Sequence, residues 1–306
     1  MSVWVEAARP RTLPAAVVPV LVGTAAASRP VGELDWGRAS LALLVALSLQ
    51  VAVNYANDLF DGVAGVDTEQ RVGPRRAVAS GLVGPAAMRN AMIAALGVAA
   101  LAGLALAALV GWELLLVGLL AILAALGYSG GRRPYASLGL GEVFVFVFFG
   151  LVATIGSQYV QDEALGTTAA LAAVAVGALA TALLVVNNLR DIPTDEQAGK
   201  RTLAVRLGEQ RTVHLFTGLV WTAIAFGPLL ALVLGHGGPL LSLVALPLAG
   251  RATGLVHGAA SAAQPDRETV AGRARGPTLV VALGATARCQ LLFGLGLAAG
   301  LVWGVG

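Results

Sequence analysis

Apolar residues fill nine stretches of this chain, and polar residues gather almost entirely in the gaps between them. The stretches run over residues 13–28, 37–57, 87–110, 113–128, 138–158, 167–189, 213–235, 239–256 and 284–304. Each is near the ~20 residues that carry a helix through ~30 Å of hydrocarbon. None alternates polar with apolar residues for long, so the pattern predicts helices and argues against an outer-membrane barrel. Composition agrees. Of the 306 residues 57% are hydrophobic and only 12% charged, against about 25% charged in soluble domains. The expected class is therefore an all-α polytopic membrane protein of one domain spanning residues 1–306.

Charge placement orients the spans. If the N-terminus is cytoplasmic, 18 of the 20 lysines and arginines lie on the cytoplasmic side, and only Arg29 and Arg38 lie outside. By the positive-inside rule this predicts a cytoplasmic N-terminus and, with nine spans, a C-terminus on the outside. Arg9 and Arg11 precede the first span without a small-residue cleavage site, so no removable leader is expected. The single Cys289 rules out an internal disulfide or a cysteine-based metal cluster. No basic stripe with interleaved aromatic residues points to nucleic acid.

Two cytoplasmic loops, 58–85 and 190–212, hold eight of the 17 acidic residues. They follow the second and sixth spans. There the chain reads "VNYANDLFD" from Val53 and "VNNLRDIPTD" from Val186. Each segment sets an aspartate four residues after an asparagine, Asn54 to Asp58 and Asn187 to Asp191. A further aspartate follows at Asp61 and Asp195. On a helix these positions share one face, so each span end presents an Asn-Asp-Asp stripe, as an internal duplication would. A lone aspartate at a helix end is ordinarily a solvated loop residue; two matched stripes are not. Four facing carboxylates repel unless a cation intervenes, and hard oxygen donors without His or Cys suit Mg²⁺. Such a pair of stripes can hold a diphosphate through bridging metal ions. The cations downstream, "RVGPRR" (Arg71 to Arg76) and "GKRTLAVR" with Lys200 and Arg201, could complete an anion site. They are weaker signals, because the positive-inside bias alone would place them there.

These motifs resemble the UbiA superfamily of intramembrane aromatic prenyltransferases. Asn57-Asp58-Leu59-Phe60-Asp61 is similar to its Asn-Asp-x-x-Asp signature. The family usually has a third acid four residues later. Here Gly65 stands there and Asp67 lies two places on, a departure shared by the menaquinone-synthesis branch acting on 1,4-dihydroxy-2-naphthoate. Residues 4–23, 54–74, 138–150 and 187–208 resemble that branch as well. The resemblance implies a nine-helix bundle with a central cavity opening towards the cytoplasm. In it Asp58, Asp61, Asp191 and Asp195 hold Mg²⁺ against the diphosphate of a polyprenyl donor, and Asp67 contributes to the metal site or binds the acceptor. Asn54, Asn57, Asn187 and Asn188 would support the site, Arg9 would lie near its polar pocket, and Tyr128 near the reacting allyl carbon.

The implied reaction breaks an allylic C–O bond, and the acceptor ring then takes the allyl cation with loss of carbon dioxide. Phe144, Phe146, Phe148 and Phe149 invite a cation–π role, but at these spacings they are expected mostly to face lipid or core, since a regular helix cannot turn all four to one cavity. Glu142, an acid flanked by apolar residues, is expected in the polar pocket or as a helix cap. His214, His236 and His257 show no ligand spacing. Competing readings are the same chemistry on 4-hydroxybenzoate, homogentisate, a chlorophyllide or haem, and, from another class, a secondary transporter.

Overall fold

Every predicted span meets a helix in the computed structural model, which describes residues 2–28, 30–63, 76–131, 133–261 and 271–303, for 271–274 by backbone alone. The helices are α1 (Pro14–Ala25), α2 (Trp36–Val63), α3 (Pro85–Leu109), α4 (Glu113–Gly127), α5 (Gly141–Asp162), α6 (Thr167–Gln197), α7 (Glu209–Leu234), α8 (Gly238–Ser261) and α9 (Ala271–Trp303). No strand occurs among the described residues. Prolines open α1 and α3, where a missing N–H leaves no bond unmade.

Among the described residues seven helices, α2, α3 and α5 to α9, are long and apolar enough to cross a membrane. The other two, α1 and α4, have 12 and 15 residues, or about 18 and 22 Å, short of a full hydrocarbon layer. Several boundaries move from their expected places. Helix α6 runs on to Gln197, so its whole motif is helical, and α9 begins at Ala271 rather than near 284.

Helix α6 is the axle. Of its most apolar window 78% is buried, against 22–56% for the other six long helices. Small residues make this possible: Ala169, Ala172, Ala175, Ala178 and Ala182 are all within 1% of full burial and pack with residues of α1, α7 and α9. Close approach is tightest where α5 crosses it. A Cβ built on Gly177 would lie 3.0 Å from the Cα of Gly150, and one built on Gly150 only 2.5 Å from the Cα of Gly177. Such glycine contacts bring helices together where lipid supplies no hydrophobic drive.

At the same crossing, Phe146–Val152 of α5 is π-helical. Phe144 and Phe148, four residues apart, share a face, and the wider turn shifts the register so that Phe149 joins them on one cavity, while Phe146 packs against Gly177. Three of the four phenylalanines thus depart from the lipid-or-core expectation.

Replacing Gly177 by valine is expected to force α5 and α6 apart and destabilise the protein by about 1–3 kcal/mol. Thermal unfolding in detergent micelles checks this; an unchanged midpoint would mean the crossing is looser than described.

Candidate active site

The motif ends of α2 and α6 meet at one end of an elongated cavity of about 310 Å³. On α2 its lining extends from Ala42 to Asp61, a rise of about 28 Å. Near the motifs the wall is polar: Arg9, Asn54, Asn57, Asp61, Arg76, Asn187, Asn188, Asp191, Asp195 and Lys200. Farther along it is apolar, with Leu106, Leu114, Val117 and Val160.

The carboxylates do not stand bare. Asp61 meets the Lys200 ammonium at 3.3 Å and the Arg76 guanidinium at 3.6 Å, so the basic stretch behind each motif reaches the first motif's aspartate. Arg190 donates to both oxygens of Asp191 at 2.7 Å and to Asn187 Oδ1 at 3.0 Å. The Thr202 hydroxyl donates to Asp195 Oδ2 at 3.3 Å. Paired in this way, charges can be held away from bulk water.

Asparagines tie the site to its scaffold. Asn54 Nδ2 donates to the Ala8 carbonyl at 2.8 Å, fixing the segment before α1. Arg9 in that segment adopts the left-handed conformation, φ 53° and ψ 70°, which side chains other than glycine rarely take. Asn57 Oδ1 accepts from Ser129 at 2.6 Å. Asn188 Nδ2 donates to Glu142 Oε1 at 2.9 Å. Glu142 is buried and does not line the cavity, so it touches the site through Asn188. Tyr128 begins an aromatic strip along the wall. Its ring meets Tyr135 edge-on at 5.5 Å, Tyr135 stacks on Phe144 at 4.0 Å, and Phe144 lies parallel to Phe148 at 6.1 Å.

An apolar helical bundle with two acidic motifs at one end of a long cavity agrees with the sequence match, which covers residues 16–272. The chain belongs to the UbiA prenyltransferase family. It is 46% identical to 1,4-dihydroxy-2-naphthoate octaprenyltransferase of Mycobacterium tuberculosis, over 83% of this chain and 86% of that protein. To the Escherichia coli protein of the same name it is 44% identical over 67% and 68% of the two chains. Among solved structures, a UbiA homolog from Archaeoglobus fulgidus bound to GPP and Mg²⁺ superposes with TM-score 0.64 at 15% identity, covering 97% of this chain and 99% of that one. The apo UbiA homolog from Aeropyrum pernix gives 0.64 at 17% identity, covering 97% and 98%. At such identities the likeness speaks to the fold, and the protein is a multi-pass membrane protein of that family.

Most residues expected in the site line the UbiA cavity. Asp58, Glu142 and Arg201 do not, and Asp67 and Arg71 lie outside the described residues. On α2 the cavity takes Asn54, Asn57 and Asp61, spaced three and four apart, which turns Asp58 to the side. There its two oxygens accept the backbone amides of Ala77 and Val78 at 3.0 and 2.9 Å, pinning the chain where it re-enters beside Arg76. Arg201 is exposed. Sequence reasoning passed over Arg190, Thr202, Gln50, Thr12 and Ser129. Only Arg190 left a signal, a cation inside a helix end between Leu189 and Asp191.

Asp58→Ala should therefore lower thermal stability in micelles, since two buried amide donors lose their acceptor at about 1–3 kcal/mol each. An unchanged melting temperature would mean that Asp58 does not hold this stretch of backbone.

Proposed function

We propose that the protein transfers a polyprenyl group from polyprenyl diphosphate to 1,4-dihydroxy-2-naphthoate, with loss of the acceptor carboxyl group, in menaquinone synthesis. One observation carries the reading: a cavity about 28 Å long that is cationic and acidic at one end and apolar over the rest. That profile suits a molecule with a charged head and a long hydrocarbon tail. The names of the relatives above support the naphthoate acceptor.

The donor set suits a divalent metal. Asn57, Asp61, Asp191 and Asp195 are hard oxygen donors on one cavity wall, but among the described residues no three acidic, histidine or cysteine groups converge on one point. This fits Mg²⁺, which uses one or two carboxylates together with phosphate oxygens and water, and not a closed protein cage. Asp61, with Asn57 beside it, and the Asp191–Asp195 pair would hold it. When bound, Mg²⁺ neutralises the charge that grows on the departing diphosphate.

The remaining roles belong to the chain. Arg76, Lys200 and Arg9 meet the diphosphate, and the electron pair of the breaking C–O bond goes with it. Tyr128, Phe144 and Phe148 offer aromatic faces to the allyl cation, and the apolar wall excludes water that would capture it. The acceptor ring attacks through carbon; carbon dioxide then leaves that carbon, and its bonding pair restores aromaticity. By the distribution of Lys and Arg, the motif end faces the cytoplasm, with nine membrane-crossing segments and the C-terminus outside.

Purified protein with Mg²⁺, polyprenyl diphosphate and dihydroxynaphthoate should yield prenylated, decarboxylated product. Chelation should abolish it, and Asp61→Asn or Asp191→Asn should lower the rate roughly 10²-fold or more. Product from 4-hydroxybenzoate but none from dihydroxynaphthoate would overturn the acceptor assignment. Full activity in either variant would overturn the metal site.

A further inference from the structure

A second groove, of about 360 Å³, opens on the outside of the bundle between the residues leading into α1 and the middle of α9. Pro14, Val281, Gly284 and Leu291 form its apolar wall, and Arg11 and Arg288 both line it. It shares no lining residue with the cavity described above. Both arginines are exposed. Among the described residues neither makes an ion pair.

Their depth is what makes them unusual. Helices α1 and α9 lie side by side with Val18 against Gly294, where an added Cβ would come within 2.4 Å of the valine. Arg11 and Arg288 precede that contact by similar lengths and so reach the same level. At 1.5 Å per residue Arg288 stands about 22 Å from Trp303, and Arg11 about 21 Å from Ala25. With those ends at the far surface, a hydrocarbon layer of ~30 Å puts the Cα atoms of both arginines inside it, ~10 Å below the motif-side surface. Lipid-facing cations at such depth need an anion or drawn-in water. Gly284 keeps the α9 wall low: the nearest atom to a Cβ built there is Arg288 Nη2, at 3.8 Å.

We infer that this groove binds an anionic phospholipid, with its phosphate between Arg11 and Arg288 and an acyl chain running inward along Pro14 and Leu291. Two planar guanidinium forks suit phosphate oxygens, and basic pockets between transmembrane helices are where anionic headgroups settle. The site bears on the enzyme through a short tether. The 3₁₀ turn Pro10–Thr12 carries Arg11, while Arg9 and Thr12 on either side of it line the central cavity. Thr12 donates to the Arg9 carbonyl at 2.9 Å and accepts from Gln50 at 3.0 Å. A headgroup on Arg11 thus steadies the turn that holds Arg9 in its left-handed conformation. The inference goes beyond the proposed reaction and stands whichever aromatic acceptor is used.

Full-length protein in nanodiscs of equal phosphatidylglycerol and phosphatidylcholine, released into native mass spectrometry, tests it. Wild type should keep phosphatidylglycerol roughly thirtyfold over phosphatidylcholine, from about 1 kcal/mol for each of the two arginines. The double variant Arg11→Gln/Arg288→Gln should lose that preference. Gly284→Leu, which fills the groove and keeps both charges, should lose the bound lipid and decides the matter if the double variant does not fold. Equal retention of the two lipids by wild type overturns the inference, as does a preference that survives Gly284→Leu. So does one-for-one displacement of phosphatidylglycerol by added polyprenyl diphosphate, which would give the groove to the donor.

Discussion

The need to hold carboxylates inside an apolar bundle governs the rest of this structure. Removing an ion from water costs several kcal/mol even after relaxation, and Asp61 and Asp191 are both nearly buried. Each is met by cations. Arg76 arrives from the stretch behind the first motif and Lys200 from behind the second, and they converge on Asp61. The ion pair with Lys200 therefore crosses between motifs and locks the ends of α2 and α6 together. Asp58 contributes without entering the cavity, since it holds the backbone that delivers Arg76. A bound diphosphate would take over the cations, and a divalent metal the carboxylates. The partners exchange, and no charge need be left alone at either stage.

That arrangement requires a rigid centre. Helix α6 supplies it with alanines and Gly177, which let neighbours approach closely and carry little side-chain entropy to lose. The bundle also uses short helices at its edge. Because α1 spans only about 18 Å, the chain before it dips below the surface and brings Arg9 to the polar end of the cavity. Asn54 fixes the dip through the Ala8 carbonyl, and Gln50 does so through Thr12. The left-handed backbone at Arg9 is sustained by these contacts, as strain at a functional site generally is.

Much of this was legible in the sequence, and the exceptions have physical causes. Each of the nine apolar spans meets a helix among the described residues, seven of them long and apolar enough to cross a membrane, because apolar runs separated by charge are the strongest signal a membrane protein offers. Asn187, Asp191 and Asp195 share the cavity face, since a regular helix continues through them. On α2 the cavity face carries Asn57, and Asp58 turns aside. Spacing alone admits both, and only the amides of Ala77 and Val78, close in space and distant in sequence, decide between them. Arg190 and Thr202 were passed over because their roles depend on which carboxylate they face. The place of Phe149 on that wall could not be foreseen from a 3.6-residue period, because a π segment breaks it.

The π segment also joins the fold to the chemistry. Gly150 lies within Phe146–Val152, the same stretch that carries the π register. The contact that draws α5 against α6 therefore lies in the turn that rotates Phe148 and Phe149 inward. Phe144, one turn earlier, stacks on Tyr135, and Tyr135 on the edge of Tyr128, so the strip extends to the polar end. A wall of ring faces gives a passing cation favourable electrostatics with few nucleophilic lone pairs, only the two phenol oxygens. Aliphatic side chains in the same places would exclude water equally well, but would leave the cation with no stabilising partner between leaving group and acceptor.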